Sequence, residues 1–575
     1  MSSSAAITRP PASLIGAVTG PDEAHRLSWR AALVIAVYGA SLFAVHLGDV
    51  RALTFHEIVF AQPAREMVRE GRWLVPTIGG QPQFDRTPVT AWCIAVAMTL
   101  TGSEAEWVVR LPSVLATLAT ALMVAAMTAR WFGSRAALWA GLMQLTTYYA
   151  LAMGRLAEAD MLLCATVTAA LFAFAAAHIP GGSPSVTNSR RLPWLFHAAL
   201  AISFMVKWAL GPALILGGCA AYGLVARDRR VVKFVLNPIG IAISLLIVVP
   251  WFAAAYVQYP SVLEHIYINH FRRFNGDMGM LEPWYSYFYD VPLLVLPWSP
   301  YVALAVFAQW RRSGPVNPFW RLAACWFLPG IVLLSASSFH SRNYAIALLP
   351  PLTIAAAVGF SEYLRRRETS DNPLRRGLIA LSIAGGAVGA ALLLRRSAAD
   401  AEALAMLALT GAAGVVTALV YEGQRRPNAA AAALFATMWL VAVGTQTWVM
   451  PAHDSFRPLA DLGRRIGTST PAGAVVHILH LPEVQVPYYI ERRVQSWPKA
   501  DAFAAHLAAS GKPQFVVTSQ DYVDHVAGFG KIEVIDQARR TARYQEDRDR
   551  LVLLKVSPTE KPVAATAAET STLRR

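Results

Sequence analysis

Ionisable side chains stand beside long apolar stretches at several points of this chain. His56 and Glu57 follow the first such stretch, in Phe55-His56-Glu57-Ile58-Val59-Phe60-Ala61-Gln62-Pro63-Ala64-Arg65-Glu66-Met67. Asp85-Arg86 precede Thr87-Pro88-Val89-Thr90-Ala91-Trp92, and Asp160 closes the short run Arg155-Leu156-Ala157-Glu158-Ala159. Charged groups are costly in or next to hydrocarbon, so they mark function by default. An imidazole or a carboxylate in such a place can serve as a general base. If the residues after Thr54 are helical, Glu57, Ala61 and Ala64 share a face and Glu57 points towards a cleft; the plainer alternative is an interfacial acid that meets water. For Asp160 the plainer alternative is a helix N-cap, which is compatible with catalysis because a capped carboxylate is rigidly aimed. Lys207, His270, Arg272, Arg273 and Arg342 add cations beside other apolar stretches. An arginine fork suits phosphate because it donates two parallel hydrogen bonds. Trp284, Tyr285 and Tyr287 read as rings of an interfacial aromatic belt.

The elements that position these groups are membrane spans. The 575 residues are 55% hydrophobic and 15% charged, against about 25% charged in soluble domains. Apolar blocks of bilayer-crossing length fall near 29–47, 109–131, 136–154, 160–178, 194–210, 211–226, 234–256, 290–308, 318–336, 343–361, 376–394, 401–421 and 428–449, which makes about 13 spans. The net charge of +15 gathers at the ends of these blocks, an orientation signal that argues against a nucleic-acid partner. Arg130 with Arg135, Arg190-Arg191, Arg227 to Lys233, Arg311-Arg312, Arg365 to Arg367 with Arg375-Arg376, and Arg425-Arg426 fall on alternate loops, cytoplasmic if the N-terminus is inside; Arg395-Arg396 is the one violation. This places His56, Asp160, His270 and His340 on the outer face. Residues 89–101, apolar but short, read as an interfacial or re-entrant helix.

The expected organisation is a disordered cytoplasmic tail over 1–28, without a signal-peptide pattern, and a transmembrane domain over 29–450 with a catalytic loop at 48–108. A small extracytoplasmic α/β domain over 451–557 follows, with strands at Ala474–Leu479, Gln514–Thr518 and Arg550–Val556 and an amphipathic stretch at Ala500–Ser510, then a disordered tail over 558–575. Cys93, Cys164, Cys219 and Cys325 lie in apolar segments without pairing or metal spacing and read as core residues. His477 and His480 lie two residues apart on a strand, a phase that leaves metal binding open.

The order of residues resembles the polytopic C-type glycosyltransferases, most of all the protein O-mannosyltransferase and lipid A aminoarabinose transferase branch. The first loop of that branch reads Asp-Glu, Ala, Arg-Glu-Met, Gly-x-Trp, Pro, then Glu-Lys-Pro-Pro before Tyr-Trp. Here the matching residues are His56-Glu57, Arg65-Glu66-Met67, Gly71-Arg72-Trp73, Pro76 and Asp85-Arg86-Thr87-Pro88 before Trp92. Lys207 with Gly211-Pro212 resembles a family Lys-Gly-Pro, His270 to Phe274 its His-x-x-Arg-Phe, and Ser341 to Tyr344, loosely, its Ser-Lys-x-x-Tyr. Glu282-Pro283-Trp284 and Pro297-Trp298-Ser299 follow in the same order, so the resemblance runs through nearly all of 30–450.

The resemblance implies an α-helical polytopic membrane protein of C-type glycosyltransferase fold in the inner membrane. Its implied activity is movement of a sugar from a polyprenyl-phosphate carrier to a lipid, glycan or protein acceptor on the outer face, as in lipid A modification or protein O-glycosylation. It suggests Asp160, Glu57 and His56 for catalysis, and Arg86, Arg273, Lys207 and Arg342 for the donor phosphate. Asp85, Tyr344, Trp284 and Tyr287 would contact substrate, with Asp85 and His270 as ligands should a divalent metal ion take part. Two departures stand out: His56 replaces the usual Asp, and the Arg-Tyr that follows Asp-Glu in the family is Val59-Phe60 here, so one phosphate contact of the aminoarabinose transferases is missing. The competing readings are a non-catalytic descendant that binds the lipid carrier, and a lipid-linked sugar transporter or flippase, which would show repeat symmetry that this sequence lacks.

Overall fold

The structure is a computed structural model describing residues 25–49, 51–180, 191–267, 283–311, 317–337, 341–367, 401–451, 454, 457–480, 488–490, 492–497, 499–539 and 550–558. It divides into two compact units. The first comprises residues up to Val50, Trp73–Val75 and Phe84–Ala452; the second comprises Arg51–Arg72, Pro76–Gln83 and His453 onward.

The first unit is helical. Among the described residues, seven helices are long and apolar enough to cross a membrane: Glu106–Phe132, Ala159–His178, Pro238–Gln258, Pro318–Ala336, Arg342–Leu364, Met406–Gly423 and Pro427–Val449. Ser286–Leu294 and Ser299–Trp310 pass the same test as a pair but are bent by 106°. The expected spans at 29–47, 194–210 and 211–226 appear as shorter apolar helices, Trp29–Ala44, Leu192–Lys207 and Leu210–Ala226. Residues 89–101 are also helical, as Pro88–Thr101, with Pro88 in the first turn where its missing N–H costs nothing. The expected span at 376–394 and Arg395-Arg396 lie outside the described residues.

Helix ends in apolar surroundings need partners for their last carbonyls. A buried arginine supplies them for the Trp29–Ala44 helix. Arg155 donates to the carbonyls of Leu42 and Phe43 at 3.2 and 3.1 Å, and Arg110 holds the turn beyond the helix through the carbonyl of Leu47 at 2.7 Å. Gly133, at φ 89°, allows the chain to turn directly from Glu106–Phe132 into Ser134–Thr146. The four cysteines are free, three of them buried and Cys93 half-buried.

The second unit is built on a five-stranded sheet: β3 (Val475–Leu479), β4 (Arg493–Trp497), β5 (Gln514–Ser519), β6 (Gly530–Arg539) and β7 (Arg550–Pro558), in the order β4-β3-β5-β7-β6. β4, β3 and β5 are parallel; β5 with β7 and β7 with β6 are antiparallel, with an irregularity between Val534 and Asp536. Alternate side chains feed two cores. On one side Leu459, Leu462 and Ile466 of the Arg457–Ser469 helix meet Val476, Val517, Leu551 and Leu553. On the other, Phe503 and Leu507 of Ala500–Ser510 meet Leu479, Val516, Val552 and Leu554. The same unit takes in the helix Phe55–Glu70 and a two-stranded hairpin, β1 (Thr77–Ile78) and β2 (Gln81–Pro82). About half of the expected first loop, Arg51–Arg72 and Pro76–Gln83, therefore folds with the α/β sheet.

Candidate functional site

Asp160 and Lys207, 47 residues apart, meet because of helix direction. Asp160 lies in the first turn of Ala159–His178 and Lys207 in the last turn of Leu192–Lys207. These helices pack together, running antiparallel: the far end of the first and the start of the second share Phe234, which touches both His178 and Phe196. At the near end Lys207 Nζ donates to Asp160 Oδ1 at 2.7 Å. Each charge also sits at the helix terminus that favours it, acid at the N-terminus and base at the C-terminus. The side chains are 4% and 17% exposed, so water screens the pair little. The plainer alternative for Asp160, a helix N-cap, does not hold: the cap position is Glu158 and Asp160 is the second helical residue. Its carboxylate is thereby left to Lys207 rather than to its own backbone.

The turn that ends the Lys207 helix is tight. Trp208 adopts a positive φ of 49°, and the chain re-enters a helix at Leu210. A Cβ on Gly211 would come within 2.6 Å of Ser203 Oγ and 2.7 Å of Ser203 Cβ, so only glycine lets these two helices approach as they do.

Above this pair lies the 3₁₀ helix Arg342–Leu348, packed on Ala159–His178. Tyr344 places its ring 4.6 Å from Lys207 Nζ, a cation–π contact. Asn343 accepts from the Tyr149 hydroxyl and donates to Glu158 Oε2 at 3.4 Å. Tyr149, Glu158 and Asn343 went unnoticed as site residues in the sequence; Glu158 and Asn343 stand in stretches already marked by Asp160 and Tyr344, whereas Tyr149, inside an apolar block, carried no signal. Ordered carboxylates, an ammonium and a phenol thus converge at the ends of three helical segments.

Other expected site residues fall differently. Arg342 is 68% exposed and pairs with the buried Asp290 at 2.9 Å, so a carboxylate already offsets its charge. Tyr287 is buried, and its hydroxyl both donates to Ser341 O at 3.0 Å and accepts from Ser341 N–H at 3.2 Å. It pins the turn before the 3₁₀ helix. Trp284 is 65% exposed and touches Tyr285 and Phe288 edge-on, as belt rings do. Asp85 is exposed and Arg86 half-buried, next to Phe84, which packs among Trp208, Trp251 and Val262. His270, Arg272, Arg273, Glu282 and His340 lie outside the described residues.

In the second unit, Glu57 is corrected from a cleft acid to a capping residue. Thr54 Oγ1 accepts from Glu57 N–H at 3.3 Å while Glu57 Oε2 accepts from Thr54 N–H at 2.9 Å, and Glu57 is fully buried. This reciprocal capping box explains an acid three residues after a threonine without any chemistry. His56, one position earlier, is exposed, its ring edge-on to Phe55 at 5.5 Å. His477 is not a metal ligand: Trp497 Nε1–H donates to its Nδ1 at 2.9 Å, which leaves Nε2 to donate to Gln514 Oε1 at 3.0 Å. His480 stacks on Tyr522. Among the described residues no three His, Cys, Asp or Glu side chains cluster to hold a metal ion.

The family profile for dolichyl-phosphate-mannose-protein mannosyltransferases matches residues 85–253. The structure superposes on ArnT from Cupriavidus metallidurans bound to undecaprenyl phosphate with a TM-score of 0.76, covering 93% of this chain and 98% of that one at 21% identity. The fold is that of a C-type glycosyltransferase. A more distant C-type glycosyltransferase, the archaeal oligosaccharyltransferase AglB from Archaeoglobus fulgidus, superposes with a TM-score of 0.51 over 87% of this chain and 71% of its own, at 11% identity. In sequence, the undecaprenyl phosphate-α-4-amino-4-deoxy-L-arabinose arabinosyl transferase of Pectobacterium atrosepticum is 26% identical over 370 residues, 62% of this chain and 65% of that protein. The corresponding enzyme of Pectobacterium carotovorum is 26% identical over 57% of this chain and 58% of its own. The chain thus spans 65% and 58% of the length of these two relatives.

Proposed function

We propose that this C-type glycosyltransferase fold moves a sugar from a polyprenyl-phosphate carrier to an acceptor on the outer side of the inner membrane, where the α/β unit would also lie. The observation that carries the reading is the shielded Asp160–Lys207 pair under Tyr344, on a fold shared with a protein that binds undecaprenyl phosphate. In the reaction the bond between the sugar's anomeric carbon and the carrier phosphate breaks and a bond to the acceptor oxygen forms. The acceptor proton passes to a base, and polyprenyl phosphate leaves. An ammonium at membrane depth stabilises the charge that grows on the leaving phosphate; Lys207 has that role here, with Arg86 and Arg273 as further phosphate contacts. Asp160 holds Lys207 in place and is the favoured carboxylate for the acceptor proton, because Glu57 is engaged in its helix cap. His56 is the alternative base. The full count of about 13 spans belongs to the same proposal.

The test uses purified protein in lipid with a labelled polyprenyl-phosphate sugar and a mixture of lipid and peptide acceptors. Release of label from the carrier, dependent on Asp160, supports transfer. Carrier binding without release would overturn it in favour of a non-catalytic binder, and movement of intact labelled carrier between leaflets in favour of a flippase.

A further inference from the structure

The helix that carries His56 is fastened at both ends to residues some 400 positions later in the chain, all within the second unit. Ahead of the helix, Ala52 N–H donates to Asp454 Oδ2 and Leu53 N–H to the Tyr489 hydroxyl, both at 2.8 Å. Tyr489 is itself held, with the Arg464 guanidinium 5.0 Å from its ring and the Tyr488 ring edge-on at 5.4 Å. Towards the far end, Arg65 donates to the carbonyls of Tyr488 and Ile490 and lies over the Tyr488 ring at 5.1 Å. The next residue, Glu66, gathers the chain that follows: it accepts from Gln62 at 2.8 Å, Thr77 Oγ1 at 2.6 Å, and the N–H groups of Gly79 and Gly80 at 2.7 and 3.4 Å. Gly79 lies so close to β4 that a Cβ there would stand 2.8 Å from Ser496 Oγ.

Helix burial alone does not require all of this. The residues from Glu57 to Met67 are buried, apart from the half-buried Val59, and hold the helix to its unit. The bond from Leu53 to Tyr489 does something narrower: it fixes the backbone one residue before the Thr54 cap, and so the first turn, where His56 stands exposed. We infer that Tyr489 and Arg65 are positioning residues for His56, so that the C-terminal α/β unit sets the aim of the first-loop helix in sugar transfer. The inference rests on the transfer reaction proposed above. It also gives the Arg65-Glu66-Met67 stretch a reason that the transfer chemistry does not supply: Arg65 and Glu66 are fasteners, not substrate contacts.

The test compares full-length wild type, Tyr489→Phe, Arg65→Lys and Arg65→Ala in lipid, measuring transfer kinetics together with backbone hydrogen exchange. Tyr489→Phe keeps the ring and removes the acceptor for Leu53 N–H. It is expected to speed exchange at Leu53 and the first helical turn, leave exchange in β3, β5 and β7 unchanged, and lower kcat about threefold, no more than His56→Asn does, with donor KM within about twofold. Arg65→Ala is expected to free the whole Phe55–Glu70 helix, and Arg65→Lys to recover part of both exchange protection and kcat, because a lysine can still reach one carbonyl. Faster exchange at Leu53 with an unchanged kcat would overturn the inference alone, as would equal losses of kcat and of protection throughout the sheet, which would mark a merely structural role. Wild type that releases no label would overturn the transfer reading first and this inference with it, so the two failures are distinguishable.

Discussion

A single ion pair separates the two jobs open to Asp160. If its carboxylate takes the acceptor proton, Asp160→Asn keeps shape and loses charge. Transfer is then expected to fall roughly 10²–10⁴-fold, the usual share of a positioned acid or base, while equilibrium binding of polyprenyl phosphate changes little. Lys207→Ala should act differently. It strips a buried carboxylate of its cation, a change that costs about 3–5 kcal/mol in comparable buried pairs. Lower thermal stability together with weaker carrier binding is expected, measured by melting in detergent and by a binding titration. Full activity in Asp160→Asn would remove this carboxylate from the reaction. His56 makes the complementary case. With Asp160 as base, His56→Asn is mild; with His56 as base, it is severe, and His56→Asp restores part of the rate and moves the acid limb of the pH–rate profile below the imidazole range near about 6.5. The Asp160 assignment predicts the mild outcome.

At the scale of elements, the pair depends on how closely two helices reverse. Gly211 packs against Ser203 at the return from Leu192–Lys207 into Leu210–Ala226, with no room for a methyl group. Gly211→Ala should therefore push the helices apart at the turn that aims Lys207. A loss of about 1–3 kcal/mol is expected from overpacking of this kind, seen as a lower melting temperature and accompanied by weaker carrier binding. Melting and binding both unchanged would mean that the turn yields without moving Lys207.

For the whole molecule, pH should act on the α/β unit through His477. Burial pushes its pKa below the ordinary imidazole value, and the ring is held neutral between Trp497 and Gln514, with the His506 ring 5.2 Å away. A depressed imidazole pKa means that the unfolded chain binds the proton more readily. The contribution to stability is thus complete above about pH 6.5 and declines as pH falls through that value towards the folded-state pKa. Amide protection in β3 and β5, corrected for the intrinsic pH dependence of exchange, should fall between pH 7.5 and 5.5, and His477→Gln should remove most of that acid slope while lowering stability at neutral pH. Equal slopes would assign the effect to other groups. Topology is tested on the same scale. Cysteines placed at the exposed positions Gln424 and Asp524 should react with an impermeant reagent from opposite sides of the membrane, Asp524→Cys from outside, over a low background because the native cysteines are buried or half-buried. Labelling from one side would invalidate the outward assignment of the α/β unit.

Apolar length and basic flanks determined the helical membrane character from sequence alone, because a bilayer demands about 20 apolar residues per span and satisfied backbone within each. The amphipathic run at Ala500–Ser510 was legible to the residue for a related reason: its period is local. β4 and β6 were not legible. They are the two edge strands of the sheet, only partly covered and correspondingly polar, as Arg493-Val494-Gln495-Ser496-Trp497 illustrates. What each ionisable residue does was decided by tertiary structure, because the deciding partner is remote in the chain or hidden in a local bond. Glu57 is turned inward by Thr54 into a cap, and Arg65 reaches carbonyls 423 and 425 residues away. Arg342 is claimed by Asp290. Asp160 and Lys207 become one group only when two antiparallel helices bring the start of one beside the end of the other. Sequence marks where charge stands near hydrocarbon; which charges neutralise each other depends on contacts that no local pattern encodes.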